Sequence, residues 1–170
     1  TITHVIARDL SKLLEEEVSV NVFSASKHYE MTDSQVYSHE VYHTLEDILN
    51  LNGISFNSYN EDPTLLRPAK KNIANSTRRY HSSLLKSNCK VTSQPDWANI
   101  YFHSTSNSID PKPLIKLLQS YRSRGDFHEA CIESIFLSML NDLHIDDLTV
   151  YGRFLRRGGI DINPLRSTKG

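Results

Sequence analysis

The sequence predicts an α+β protein in which an antiparallel sheet is covered on one face by two helices. Three observations carry this expectation. From residue 84 the hydrophobic periodicity runs strand, strand, helix, helix, strand; both helices have marked ends; and the first sixty residues show only the back of that order, a helix and then one or two strands. At 170 residues the chain can hold one ordinary domain or two small ones and bury roughly 70% of its unfolded surface without a metal or disulfide.

The opening stretch, TITHVIARDLSKLLEEE, places Ile2, Val5, Ile6, Leu10, Leu13 and Leu14 at helical spacing over residues 1–17, with Thr1 or Thr3 available as N-cap. In VSVNVFS, residues 18–24, Val18, Val20 and Val22 alternate with Ser19 and Asn21 as in a strand with one buried face. No element is assigned between Lys27 and Asn52, and GISFNSYN at 53–60 predicts a further strand. The polar segment 61–83, with Pro63, Pro68 and the basic pair Lys70 and Lys71, reads as a linker with a boundary near 62–80. This divides the chain into a partial first module at 1–62, a linker at 63–83 and a second module at 84–170. A helix and a strand cannot close a core alone, so the front reads as the remainder of a truncated unit, in keeping with a first residue that is Thr1.

The second module is cleaner. CKVTSQ (89–94) and ANIYFHSTS (98–106) alternate as strands, Ile100 and Phe102 facing one way and Tyr101 and His103 the other. Asp110 as N-cap, Pro111 at the first helical position, the stripe Leu114, Leu117, Leu118, Tyr121 and a Gly125 stop define one helix. Asp126 with Glu129 forms a D-x-x-E capping box that opens a second helix through Ile132, Ile135, Phe136, Met139 and Leu143. LTVYGRF (148–154) is the last strand, leading into the basic glycine turn RRGG at 156–159.

Charge and cysteine usage narrow the function classes. Nineteen basic residues against twenty acidic ones argue against broad electrostatic binding to nucleic acid or an anionic membrane. Cys89 and Cys131 fall in no close metal or disulfide spacing, which suits a reduced, cytoplasmic setting. No run approaches the roughly 18 apolar residues of a membrane helix.

On residue type alone, Cys89 suits a small buried hydrophobe as well as a nucleophile, which would need a base or positive charge to form its thiolate. Asp96, after a Ser-Gln-Pro turn, suits a cap or a proton carrier. Glu129 suits the capping box or a carboxylate at a helix N-terminus reading an amidine-like N–H edge. His128 and Cys131, three apart, lack a clear third metal ligand. Arg156 and Arg157 before two glycines suit a solvated turn or a phosphate contact.

Taken in order, LLKSNC…QPDW, FHEACIE and RRGGIDINPLRS resemble the NADPH-dependent 7-cyano-7-deazaguanine reductase family, the nitrile reductases of queuosine biosynthesis, from about Leu84 to Ser167. The resemblance implies the tunnelling fold (T-fold), a four-stranded antiparallel sheet with two helices, assembling into homo-oligomeric barrels. It implies Cys89 as the nucleophile forming a thioimide, Asp96 as the proton donor, His128 and Glu129 as readers of the deazaguanine edge, and Arg157 and Gly158 as NADPH contacts. No metal, direct nucleic-acid contact or membrane is implied. The family's cofactor motif, Glu-Ser/Leu-Lys-Ser/Ala-x-Lys, has no match here: SASKHYE at 24–30 keeps Ser-Lys but lacks the preceding Glu and the second Lys. Two alternatives stay open, a zinc-dependent cyclohydrolase-like enzyme on a pterin or purine nucleotide and a non-catalytic purine-binding or assembly module.

Overall fold

The computed structural model describes residues 1–22, 42–68, 78–105 and 109–169. It comprises two compact units, Thr1–Glu40 and Val41–Gly170. In the first, α1 (Ile2–Leu14) is the predicted amphipathic helix, N-capped by Thr1 and ended by Glu15 at a left-handed φ of 56°. Val18–Val22 form no strand; a valine alternation becomes one only when a ladder partner takes its backbone groups. Residues 24–30, where SASKHYE keeps only the Ser-Lys of the cofactor motif, lie outside the described residues.

The second unit holds the sheet. Its long strands are β2 (Arg78–Cys89) and β3 (Pro95–Ser104), joined by a tight turn; β1 (His43–Thr44) precedes them, after which come α2 (Leu45–Ile48) and a 3-10 turn at Leu51–Gly53. Next are α3 (Pro111–Ser120), the two-residue β4 (Gly125–Asp126), α4 (His128–Leu143), β5 (Leu148–Phe154) and β6 (Leu165–Ser167). The path β2-β3-β5-β6 is antiparallel throughout, while β1 and β4 each add a short parallel pairing to β2. The four-stranded antiparallel sheet with two helices on one face is therefore present.

One face of the sheet makes the core. Ala98, Ile100 and Phe102 of β3 and Leu148, Val150 and Phe154 of β5 point into it, and Leu114, Leu117 and Leu118 of α3 with Ile132, Ile135 and Met139 of α4 close it. Each of the larger of these buried side chains contributes about 1.5–3 kcal/mol. Gly152 lets α4 lie close to β5: a Cβ there would stand 2.5 Å from Ile132 Cδ1.

Several boundaries differ from expectation for physical reasons. Residues 78–83 are the first half of β2, not linker, and CKVTSQ is not a strand but the end of β2 and the turn after it, closed by Cys89 N donating to Gln94 O at 2.8 Å and Ser93 N to Cys89 O at 2.9 Å. The alternation of β2 is concealed because Ser82 faces Ile100 while Leu85 faces Ala98, so three residues of β2 span two of β3. This is a β-bulge, and it changes which parity of the strand faces the core. GISFNSYN runs extended without a ladder; Ile54 and Phe56 pack on the core and Tyr59 O accepts from Ser123 N at 2.9 Å. It belongs with the sheet-bearing unit, as do all described residues from 42 to 68 that were expected in the first module or linker. The Asp126–Glu129 capping box does not form: Phe127 is the N-cap of α4, and the Asp126 carboxylate turns to Phe127 N and Arg124.

The bulge is held from outside the hairpin. Ser83 N donates to Glu46 Oε1 at 2.6 Å, and Leu84 N to Ser82 Oγ at 3.1 Å. Burial of Glu46 raises its pKa above the usual glutamate value, opposed by hydrogen bonds from the Ser83 amide, its own amide and the Ser82 hydroxyl. Glu46→Ala is expected to destabilise the protein by about 1–3 kcal/mol through the lost acceptor, and Glu46→Gln, which keeps an acceptor, to recover most of that. Because a native carboxyl with a raised pKa loses stability as pH rises through that pKa, the stability of Glu46→Gln relative to wild type should increase as pH rises from about 4.3 towards neutrality. Denaturant unfolding at a series of pH values checks both.

Candidate active site

The bulge decides what Cys89 meets. Before it, Tyr80 and Ser82 lie on the core side; after it, Leu85 and Ser87 do, Ser87 directly opposite Asp96. Cys89 continues the second parity and so emerges on the same side of the sheet as Asp96. Were the same sequence to run on from Tyr80 and Ser82 in unbroken alternation, Cys89 would fall on the opposite face from Asp96.

Asp96 shares the core parity of Ala98 and Ile100 and is 1% exposed. A carboxylate in that position requires compensation, and two elements provide it. Arg157, in the turn after β5, donates Nε to Asp96 Oδ1 at 2.7 Å and adds Nη2 to the same oxygen. His128, the first residue of α4, places Nε2 3.3 Å from that oxygen. The His128 ring is stacked on Phe154 with centroids 4.0 Å apart and an interplanar angle of 5°, and its Nδ1 lies 3.3 Å from Ile162 O. Both ring nitrogens are thus committed and the ring cannot turn freely. Arg157 is braced in the same way by the β2–β3 turn: Nη1 donates to Gln94 Oε1 at 2.8 Å and Thr92 Oγ1 at 3.3 Å, and Nη2 to Gln94 O at 3.2 Å.

Cys89 is half-exposed at the end of β2. The Thr92 hydroxyl, the Thr92 and Val91 amides and the Arg157 charge favour its thiolate and hold the thiol below its usual pKa. Cys131, one turn into α4, is the opposite case: burial pushes it up to about 12. His128 turns to Asp96 while Cys131 lies in the core, so this i, i+3 pair does not converge, and among the described residues no three His, Cys, Asp or Glu side chains gather as a metal site needs.

Cys89, Asp96, His128, Glu129 and Arg157 line one cavity of about 660 Å³, together with Asp126, Phe127, Ala130 and Ile162. The structure thus brings five of the six expected residues together. Gly158 stands apart in the adjoining turn, exposed at φ 56° and followed by Gly159 at φ 79°, where added Cβ atoms would meet nothing within 4 Å. Periodicity could not reveal Thr92, Gln94 and Phe154 as supports, because each acts on a residue distant in the chain; Asp126 directly precedes the FHEACIE motif and Phe127 opens it, but they read as a cap and its neighbour.

Residues 95–170 match the family described as QueF-like protein. Over 167 residues, 98% of this chain and 56% of the relative, the chain is 41% identical to a protein of Coxiella burnetii (strain Dugway 5J108-111) named NADPH-dependent 7-cyano-7-deazaguanine reductase. Proteins of the same name from Colwellia psychrerythraea and Legionella pneumophila (strain Lens) are 39% and 37% identical over 96% and 99% of this chain. The chain spans 56% of the length of each of these relatives. The crystal structure of the archaeosine synthase QueF-Like in the apo form aligns with a TM-score of 0.49 at 14% identity, over 59% of this chain and 98% of that one.

The two cysteines should differ sharply in reactivity. At neutral pH iodoacetamide is expected to modify Cys89 and leave Cys131 untouched, and Thr92→Val should move the Cys89 alkylation profile to higher pH by removing the hydroxyl that favours the thiolate. Peptide mass mapping of the alkylation rate against pH measures both.

Proposed function

This chain is a homologue, over nearly its whole length, of the NADPH-dependent 7-cyano-7-deazaguanine reductases, and we propose that it carries the nucleophile and proton-transfer groups for reducing the nitrile of 7-cyano-7-deazaguanine to the aminomethyl product. The observation that carries this reading is the convergence of a thiol with lowered pKa, a buried Asp–His–Arg cluster and a helix N-terminal glutamate on one cavity.

The Cys89 thiolate adds to the nitrile carbon. One C≡N electron pair moves to nitrogen, which takes a proton, and a thioimide on Cys89 results. Asp96 is the proton donor: its carboxylate takes the proton that Cys89 gives up and passes it to the nitrogen, and His128 Nε2, 3.3 Å from its Oδ1, is within reach to share that proton. Glu129, exposed at the first turn of α4 and lining the cavity, accepts hydrogen bonds from the N–H edge of the deazaguanine, an arrangement favoured by the positive end of the helix. The open Gly158–Gly159 turn fits contact with an anionic cofactor, beside an Arg157 that contributes its positive charge while its donors hold Asp96, Gln94 and Thr92. NADPH, when bound, supplies the two hydrides. The α1 unit is read as belonging to another module of the same kind, and the sheet as one part of a homo-oligomeric barrel; no described helix is long and apolar enough to cross a membrane.

Mixing the full protein with 7-cyano-7-deazaguanine without NADPH should give a one-to-one covalent adduct that maps to Cys89 and is absent in Cys89→Ala. Asp96→Asn should slow adduct formation by about 10²–10⁴-fold while substrate still binds. An adduct on another residue, or none on wild type, refutes the assignment.

A further inference from the structure

Behind the cavity wall lies a chain of charges that the proposed reaction does not use. Glu61, from the connection before the 3-10 turn Pro63–Leu65, accepts from Tyr121 Oη at 3.1 Å and from Ser134 Oγ on α4. Its other oxygen pairs with Arg124 Nη1. Arg124 Nη2 reaches Asp126 Oδ2 at 2.9 Å, and Asp126 Oδ1 accepts from Phe127 N at 2.9 Å. The guanidinium carbon also stands 5.4 Å from the Tyr121 ring centroid, so Arg124 is held on three sides. It does not line the cavity; Asp126 does.

Asp126 is the register partner of Cys89 in the short parallel pairing of β4 with β2, a pairing fastened by Asn88 N donating to Arg124 O at 2.8 Å. Directly paired residues in a sheet present their side chains to the same face. A carboxylate is therefore built in beside the sulfur that has to become an anion, and an uncompensated negative charge there would oppose ionisation. The other groups facing Cys89 are Asp96 from β3, Arg157 from the turn after β5, and His128 and Glu129 from α4, with Lys90 next in the chain.

We infer that Arg124 is a positioning residue of the reaction: clamped between Glu61 and Asp126, it offsets the charge that the β4 pairing places beside Cys89 and so keeps the thiolate accessible. The inference rests on Cys89 being the nucleophile. In this arrangement Asp126 is kept because it fixes the Phe127 amide at the entry to α4, and Arg124 removes its electrostatic penalty.

The test reads iodoacetamide alkylation of Cys89 against pH in the full protein, with thermal unfolding as a control for folding. Arg124→Met should slow alkylation at neutral pH by about threefold to tenfold, the range expected of one charge released near a partly solvated thiol. Asp126→Asn should move the profile to lower pH. The double variant should return to within about twofold of wild type, because the two changes act through one charge pair. A wild-type profile in Arg124→Met, or a double variant as slow as Arg124→Met, overturns the inference; if Arg124→Met does not fold, an unshifted profile in Asp126→Asn does so. A wild-type protein whose Cys89 alkylates but forms no nitrile adduct instead refutes the nucleophile reading, so the two failures are told apart.

Discussion

The hydrogen bond from Ser83 N to Glu46 secures the constraint on which the site depends, the single extra residue in β2. A bulge leaves an amide without a ladder partner, and a buried amide without an acceptor is costly. Glu46 supplies the acceptor from α2, more than thirty residues earlier in the chain. Because the bulge moves the core-facing positions of β2 from even to odd numbers, Cys89 shares a face with Asp96, and a carboxylate on a short helix supports the irregularity that puts it there.

From that placement the electrostatics of the cavity follow. Asp96 is drawn to the core side by the alternation of β3, and burial there is tolerable only with charged or polar partners on all sides. Arg157 and His128 supply them from two further elements, each fixed by contacts of its own: Arg157 by Gln94 and Thr92, His128 by stacking on Phe154. The β2–β3 turn thus serves twice. Its Thr92 favours the Cys89 thiolate and, with Gln94, orients the guanidinium that holds Asp96. The Glu61–Arg124–Asp126 chain is a second set of charge pairs near Cys89, joining a residue before the hairpin to the β4 residue that pairs with Cys89.

How much of this was legible in the sequence varied with the range of the interaction concerned. The helix Pro111–Ser120, with Asp110 capping and proline at its start, and the strand Leu148–Phe154 could be read directly, since caps and period-2 patterns are local. So could the motifs that bring Cys89, Asp96, His128, Glu129 and Arg157 into consideration. The first half of β2 was not legible, because the bulge interrupts its alternation and serines occupy core-facing positions 82 and 87. The valine run at 18–22 and the stretch 53–60 misled for the converse reason: their local pattern suits a strand, yet no ladder forms there.

The sequence by itself therefore determined the α+β class of the sheet-bearing unit, the two helices that cover it and which side chains are candidates for the site. Only the tertiary structure decided that Cys89 and Asp96 face the same way, that Arg157 is engaged with Asp96, and that Asp126 belongs to the cavity rather than to a capping box. The reason is physical. Helix periods and caps are set by residues within a few positions of one another, whereas facing, charge compensation and register come from pairings between segments tens of residues apart, which no local pattern encodes.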